Sequence, residues 1–193
     1  MRLPLLVAFI GCLVFGANAQ EMVAVASDAK PRLFVPSISV GTVGGAQITT
    51  NSVYLKYGGG VYASVHNILN DRLSLGVGVG VEQIDNESLY PFYLEGKGML
   101  SDKAATGFLM VTAGYAAGNN PSYENYDGYN YRGGGLFGAG WGYRWPLKKD
   151  DYFSISVSYR QQFIHLSYSD HHNFNFRERL SYSLLFVRAS IEF

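Results

Sequence analysis

Three side chains of this chain have the types needed for ester hydrolysis. His165 and Ser167 lie two apart in His165-Leu166-Ser167, and Glu178 follows across a polar stretch. A hydroxyl nucleophile, an imidazole base and an orienting carboxylate form a catalytic group when antiparallel strands bring them together. Strict alternation sets Ser167 on the outward parity with Phe163 and Glu178 on the inward parity opposite to Phe193, so convergence requires a bulge. A second cluster is the tyrosine-rich run from Pro121 to Tyr131. There Tyr123, Tyr126, Tyr129 and Tyr131 alternate with polar residues, as in adaptable binding surfaces, or in a solvated external loop. His171-His172 beside Asp170 is a weak metal candidate, because adjacent residues of an extended segment point apart. We expect no metal and no cofactor: no Walker loop, dinucleotide fingerprint or EF-hand pattern occurs, and the glycine runs lack a following helix to cradle phosphate.

The elements that must position these residues follow from composition. The 193 residues carry 15 Lys and Arg against 15 Asp and Glu, a balance that leaves no basic surplus for nucleic acid. A hydrophobic fraction of 48% with 15% aromatics excludes disorder, and a single cysteine excludes a disulfide scaffold. Glycine stands out, at 23 residues or about 12% against an ordinary level of about 7%.

Arg2, an apolar run from Leu3 to Ile10 and the exit Ala17-Asn18-Ala19 read as a signal peptide over 1–19, cleaved before Gln20. The expected mature chain is cysteine-free with a formal charge of −1. Residues 20–34 are expected to form a periplasmic N-terminal segment and 35–193 the folded domain.

From Phe34 onward the period is two. Between Arg72 and Glu82 the odd positions are Leu73, Leu75, Val77, Val79 and Val81, and the even ones Ser74, Gly76, Gly78, Gly80 and Glu82. Phe137 to Trp145, Phe153 to Arg160 and Leu185 to Phe193 repeat the division. A water-facing strand surface would favour Thr and charge over serial glycine. A small barrel with its apolar face in lipid and a confined interior accounts for both faces. Eight segments result, at 35–47, 53–66, 72–83, 91–100, 106–117, 133–146, 152–167 and 179–193. Short connections at 67–71, 101–105 and 147–151 alternate with longer ones at 48–52, 84–90, 118–132 and 168–178. The expected fold class is therefore all-β, an eight-stranded antiparallel up-and-down transmembrane β-barrel.

Lys56, Arg72, Glu82, Glu95, Lys97, Arg144, Arg160, Arg188 and Glu192 fall on the expected inward face. Such charges either line a pore or pair into a plug, and the narrow interior of eight strands favours the plug. Trp141, Tyr143, Trp145, Tyr152, Phe153 and Tyr159 are placed as an interfacial aromatic girdle.

The closing Val187-Arg188-Ala189-Ser190-Ile191-Glu192-Phe193 resembles the C-terminal strand of outer-membrane barrels, which implies recognition by the barrel-assembly machinery through Phe193. Leu73-Ser74-Leu75-Gly76-Val77-Gly78-Val79-Gly80 and Ala113-Gly114-Tyr115 are similar to small eight-stranded barrels of the OmpA/OmpX-like superfamily. That resemblance covers nearly the whole expected mature chain and implies a bacterial outer-membrane location among lipids and lipopolysaccharide. The His165-x-Ser167 pair with Glu178 is similar to the outer-membrane lipid A deacylase family, although that family follows the pair with Asn where this chain has Tyr168. The expected function is a non-enzymatic barrel with a plugged, salt-bridged lumen, acting in envelope integrity or surface interaction with an extracellular ligand at its loops. The alternative is lipid A ester hydrolysis by His165, Ser167 and Glu178.

Overall fold

A computed structural model describes residues 34–49, 52–120, 127–148, 151–169 and 175–193. The expected signal peptide and nearly all of the N-terminal segment, Tyr123, Tyr126, and Asp170 to His172 lie outside the described residues. Nine strands form one sheet: β1 (Phe34–Ile48), β2 (Val53–Asn70), β3 (Leu73–Ile84), β4 (Glu87–Met99), β5 (Thr106–Asn119), β6 (Asp127–Tyr131), β7 (Gly134–Lys148), β8 (Asp151–Ser169) and β9 (Asn175–Glu192). Every neighbour pairs antiparallel, and β1 pairs with both β2 and β9. That double pairing closes β1 to β5 and β7 to β9 into an eight-stranded barrel with no free edge in its wall.

The ninth strand, β6, continues the line of β7 along β8 beyond a bulge. Arg132 N–H donates to the His165 carbonyl and His165 N–H donates to that of Gly133, so two residues oppose one. Gly133 has φ +67, and a Cβ there would lie 2.0 Å from the Ala116 carbonyl oxygen, so only glycine fits.

Strict alternation of short and long connections fails at β3 and β4. The expected loop 84–90 is mostly strand, reduced to the two-residue turn Asp85-Asn86, with Asp85 at φ 48. Aspartate tolerates that left-handed conformation, which lets the chain reverse at once. Pro91, expected at a strand start, lies inside β4, where the β3 ladder is interrupted between Val79↔Phe92 and Glu82↔Leu89. A residue without an N–H fits in such a gap.

The faces sort as the period-two pattern requires. Val61, Val77, Val79, Leu94, Val111, Trp141 and Val187 point outward and are exposed. So continuous an apolar surface is unsuited to water and matches the hydrocarbon band around a membrane barrel. Trp145 stacks on Phe153 with centroids 5.9 Å apart, at the end of the barrel where the C-terminus lies.

The inward glycines have a more specific role than making the lumen narrow. A Cβ at Gly76, Gly78, Gly80 or Gly142 would come within 2.4 Å of the ring of His66, Tyr93, Tyr62 or Phe108 respectively. Each glycine is thus a seat for a ring from an adjacent strand, and the rings fill the space that a wider barrel would leave open.

Arg72 departs from its expected lumenal place. It sits on the turn after β2, paired with Asp102 at 2.7 Å, and both side chains are 62% exposed. The Arg72 hydrogen bond holds the Asp102 carboxyl below its ordinary range, and Asp102 in turn raises Arg72. Any stabilisation is present at neutral pH and is lost as pH falls through the lowered Asp102 value. In so exposed a pair solvent screens the attraction, so Asp102→Asn should leave the urea unfolding midpoint in detergent unchanged. A clear shift would show that this turn is coupled to the barrel wall.

Candidate functional site

The lumen is where the buried charges gather. Around the wall β3 stands opposite β8, and β4 opposite β9. Glu82 of β3 accepts two hydrogen bonds from Arg160 of β8, at 2.6 and 2.5 Å, across the full width. From β4, Glu95 accepts from Arg188 of β9 at 2.5 Å, and Lys97 donates to Glu192 of β9 at 2.6 Å. Nearer the end away from the C-terminus, Tyr182 of β9 donates to Glu87 of β4 at 2.6 Å. Four diametric ties therefore brace the barrel at successive levels.

Side partners complete the charge balance. Glu95 also contacts His66 at 3.1 Å and Lys97 at 3.6 Å, and Glu87 accepts from Lys56 at 3.1 Å. Arg160 lies over the Phe186 ring at 4.1 Å and Arg144 over Tyr152 at 4.5 Å. The carboxylates of Glu82, Glu87 and Glu95 are buried, and each has the cation that burial of a carboxylate demands. A cavity of about 40 Å³ among Tyr62, Tyr93, Arg160, Phe186 and Arg188 has room for a few water molecules and is far smaller than the roughly 300–1,000 Å³ of ligand pockets.

The expectation of a small or charged interior holds for only part of the lumen. Toward the end away from the C-terminus, Val43, Ile84, Leu89, Leu136, Ile164, Leu180 and Leu184 make an apolar core. Stretches such as Leu184-Leu185 carry apolar residues on both faces, so alternation alone does not reveal which of the two is lumenal.

The hydrolase candidates are only partly brought together. His165 and Ser167 share the outward face, opposite Arg179 and Arg177, whereas Glu178 pairs in register with Leu166 on the other parity. The β8–β9 ladder runs from Tyr152↔Glu192 to Ser169↔Asn175 without a shift, so the bulge needed for convergence does not occur. His165 is exposed and Leu166, between the pair, is buried in the lumen. Of the tyrosine run, Tyr129 lies in β6 with its side chain outside the described residues. Tyr131 turns to the lumen, where its hydroxyl donates to Glu87 at 3.0 Å. It ties β6 to the interior in place of the outward surface expected for it.

The class defined by this geometry is the small closed membrane barrel: an uninterrupted ring of eight antiparallel strands, apolar outside, cross-braced within. No family model matches the chain, and no curated protein matches it. Among solved structures it is similar to the outer membrane protein AlkL, determined by solid-state NMR in DMPC lipid bilayers, with a TM-score of 0.55 and 13% identity over 90% of this chain and 96% of that one. The crystal structure of Neisserial surface protein A matches with a TM-score of 0.49 and 11% identity, over 79% of this chain and 95% of the other. The likeness to AlkL is one of fold, and the fold is that of an outer-membrane β-barrel.

Proposed function

We propose that this chain is a non-conducting, non-enzymatic barrel of the bacterial outer membrane, which holds its lumen shut and acts through its external end in envelope integrity or surface interaction. The observation that carries this reading is the set of diametric ties Glu82–Arg160, Glu95–Arg188, Lys97–Glu192 and Glu87–Tyr182. An ion crossing the barrel would have to part buried pairs at several levels and then pass an apolar core, each at a cost of several kcal/mol. In an outer-membrane barrel the end holding both termini is periplasmic, which makes Thr49–Ser52, Asp85-Asn86 and the β8–β9 connection external.

Planar bilayers containing the purified protein should carry no more current than protein-free ones. Unitary conductance steps that scale with added protein would overturn the closed-lumen reading. The location is tested separately: the folded protein should fractionate with the outer membrane and migrate faster in gels before boiling than after it. Extraction without detergent would refute the placement.

A further inference from the structure

We infer that the outer surface of the β8–β9 hairpin, with the adjoining β6–β7 bulge, is a binding site for the phosphates of an outer-leaflet glycolipid of the bisphosphorylated lipid A type. The inference rests on the membrane reading above and names a ligand for its external rim.

Outward residues of β8 run Phe153, Ile155, Val157, Tyr159, Gln161, Phe163, His165, Ser167, and those of β9 run Ile191, Ala189, Val187, Leu185, Ser183, Ser181, Arg179, Arg177 in register. From Phe153 to Phe163 the strand rises about 33 Å, or roughly 25 Å along the axis at the usual tilt. That span equals the apolar band of a membrane barrel, so the next pair, His165↔Arg179, is the first beyond the hydrocarbon. Phe163 packs on Phe137 with centroids 5.8 Å apart, marking the upper edge of the band.

Above that edge the surface is cationic. Arg132, His165, Arg177 and Arg179 are all exposed, and none has an acidic partner among the described residues. The bulge fixes their order: Arg132 and Gly133 both bond to the backbone of His165, whose other neighbour is Arg179. The Tyr115 hydroxyl donates to the Arg132 carbonyl and pins the bulge to β5. Three guanidinium groups thus span the width of three strands, about 10 Å, too wide for one phosphate and suited to a headgroup bearing two.

Just below the cations, toward the upper edge of the band, the surface carries hydroxyl and amide groups that hydrogen-bond to one another. The Tyr159 hydroxyl reaches Gln161 Oε1 at 2.6 Å, Gln161 Nε2 reaches Ser181 Oγ at 2.5 Å, and Ser183 Oγ reaches Gln161 Oε1 at 2.9 Å. On the neighbouring strands β1 and β2 the outward residues at this end are Ile48, which pairs with Ser181 of β9, Val53 and Leu55, all exposed and apolar. The cationic strip is therefore bounded on its β1 side by an apolar surface.

The test uses the full chain folded in detergent and titrated with bisphosphoryl lipid A, with bound lipid counted by native mass spectrometry. Arg132→Gln, Arg177→Gln and Arg179→Gln combined should weaken binding on the order of a hundredfold, from the usual contribution of an arginine beside an anionic surface. Fully dephosphorylated lipid A should bind both proteins weakly and alike, and phosphatidylglycerol should bind the wild type less tightly than bisphosphoryl lipid A. Unchanged affinity in a triple variant that keeps its heat-modifiable migration overturns the site. Equal binding of phosphatidylglycerol overturns the glycolipid assignment. If the triple variant does not fold, the wild type decides: affinity for bisphosphoryl lipid A should drop steeply with added salt, and salt-independent binding overturns the inference. Co-flotation with phosphatidylcholine vesicles separates the two levels. A chain that does not float fails the membrane reading itself, whereas one that floats without discriminating phosphate fails only here.

Discussion

Glu95→Leu should lower the stability of the barrel by about 3–5 kcal/mol, the usual loss when one member of a buried ion pair is removed and its partner stays behind. Glu95 is 1% exposed and contacts two cations, Arg188 at 2.5 Å and Lys97 at 3.6 Å, together with the His66 ring at 3.1 Å. Lys97 keeps Glu192, but Arg188 has no other carboxylate in reach among the described residues. Urea unfolding in detergent, followed by tryptophan fluorescence, reads the midpoint. Adding Arg188→Met to Glu95→Leu should recover part of the loss, because a pair replaced by apolar groups of similar size avoids the stranded charge. A midpoint unmoved by Glu95→Leu would mean that the tie bears no load, and the closed-lumen argument would lose its energetic basis.

Gly114→Val should be comparably damaging for a steric reason. Gly114 faces the lumen from β5, and a Cβ there would lie 2.1 Å from the Phe92 carbonyl oxygen and 2.7 Å from Tyr93 Cα. These are backbone atoms of the neighbouring strand, so the ladder must part to admit the side chain, at about 1–3 kcal/mol or more. Gly98 supplies the comparison: a Cβ there meets nothing within 4 Å, and Gly98→Val should be tolerated or slightly stabilising through its better strand propensity. Equal losses at both positions in the same urea assay would show that glycine acts here through backbone freedom and not through close approach.

Much of the fold was legible because the period-two signal is physical: a residue two places along returns to the same side of a strand. Leu73 to Glu82 divides in the structure as alternation requires, with Val77 and Val79 exposed and Glu82 buried. Boundaries were less legible where a turn depends on one backbone conformation, as at Asp85, which moved the start of β4 from 91 to Glu87. Arg72 had the right parity for the lumen, but parity carries no height, and the residue lies on a turn past the end of the wall. The lumenal charges were identifiable as a set, but their partners depend on which strands stand opposite each other after closure. The hydrolase grouping required Glu178 to leave its parity, and an unshifted β8–β9 ladder keeps it there. No spacing in the sequence links the arginines at 132, 177 and 179; they come together only where the bulge aligns β6 and β7 with β8.

The glycine seats on β3 also act as a lock on assembly. Gly76 and Gly80 receive rings from β2, those of His66 and Tyr62, while Gly78 between them receives Tyr93 from β4. A pairing error of one residue would turn β2 inside out and be rejected by the membrane. An error of two residues preserves the faces and is the harder mistake to exclude. In either direction such a slip carries His66 or Tyr62 onto Gly78, a seat that Tyr93 fills. Three strands thus verify one another's alignment through steric occupancy, with no charge or hydrogen bond needed to decide.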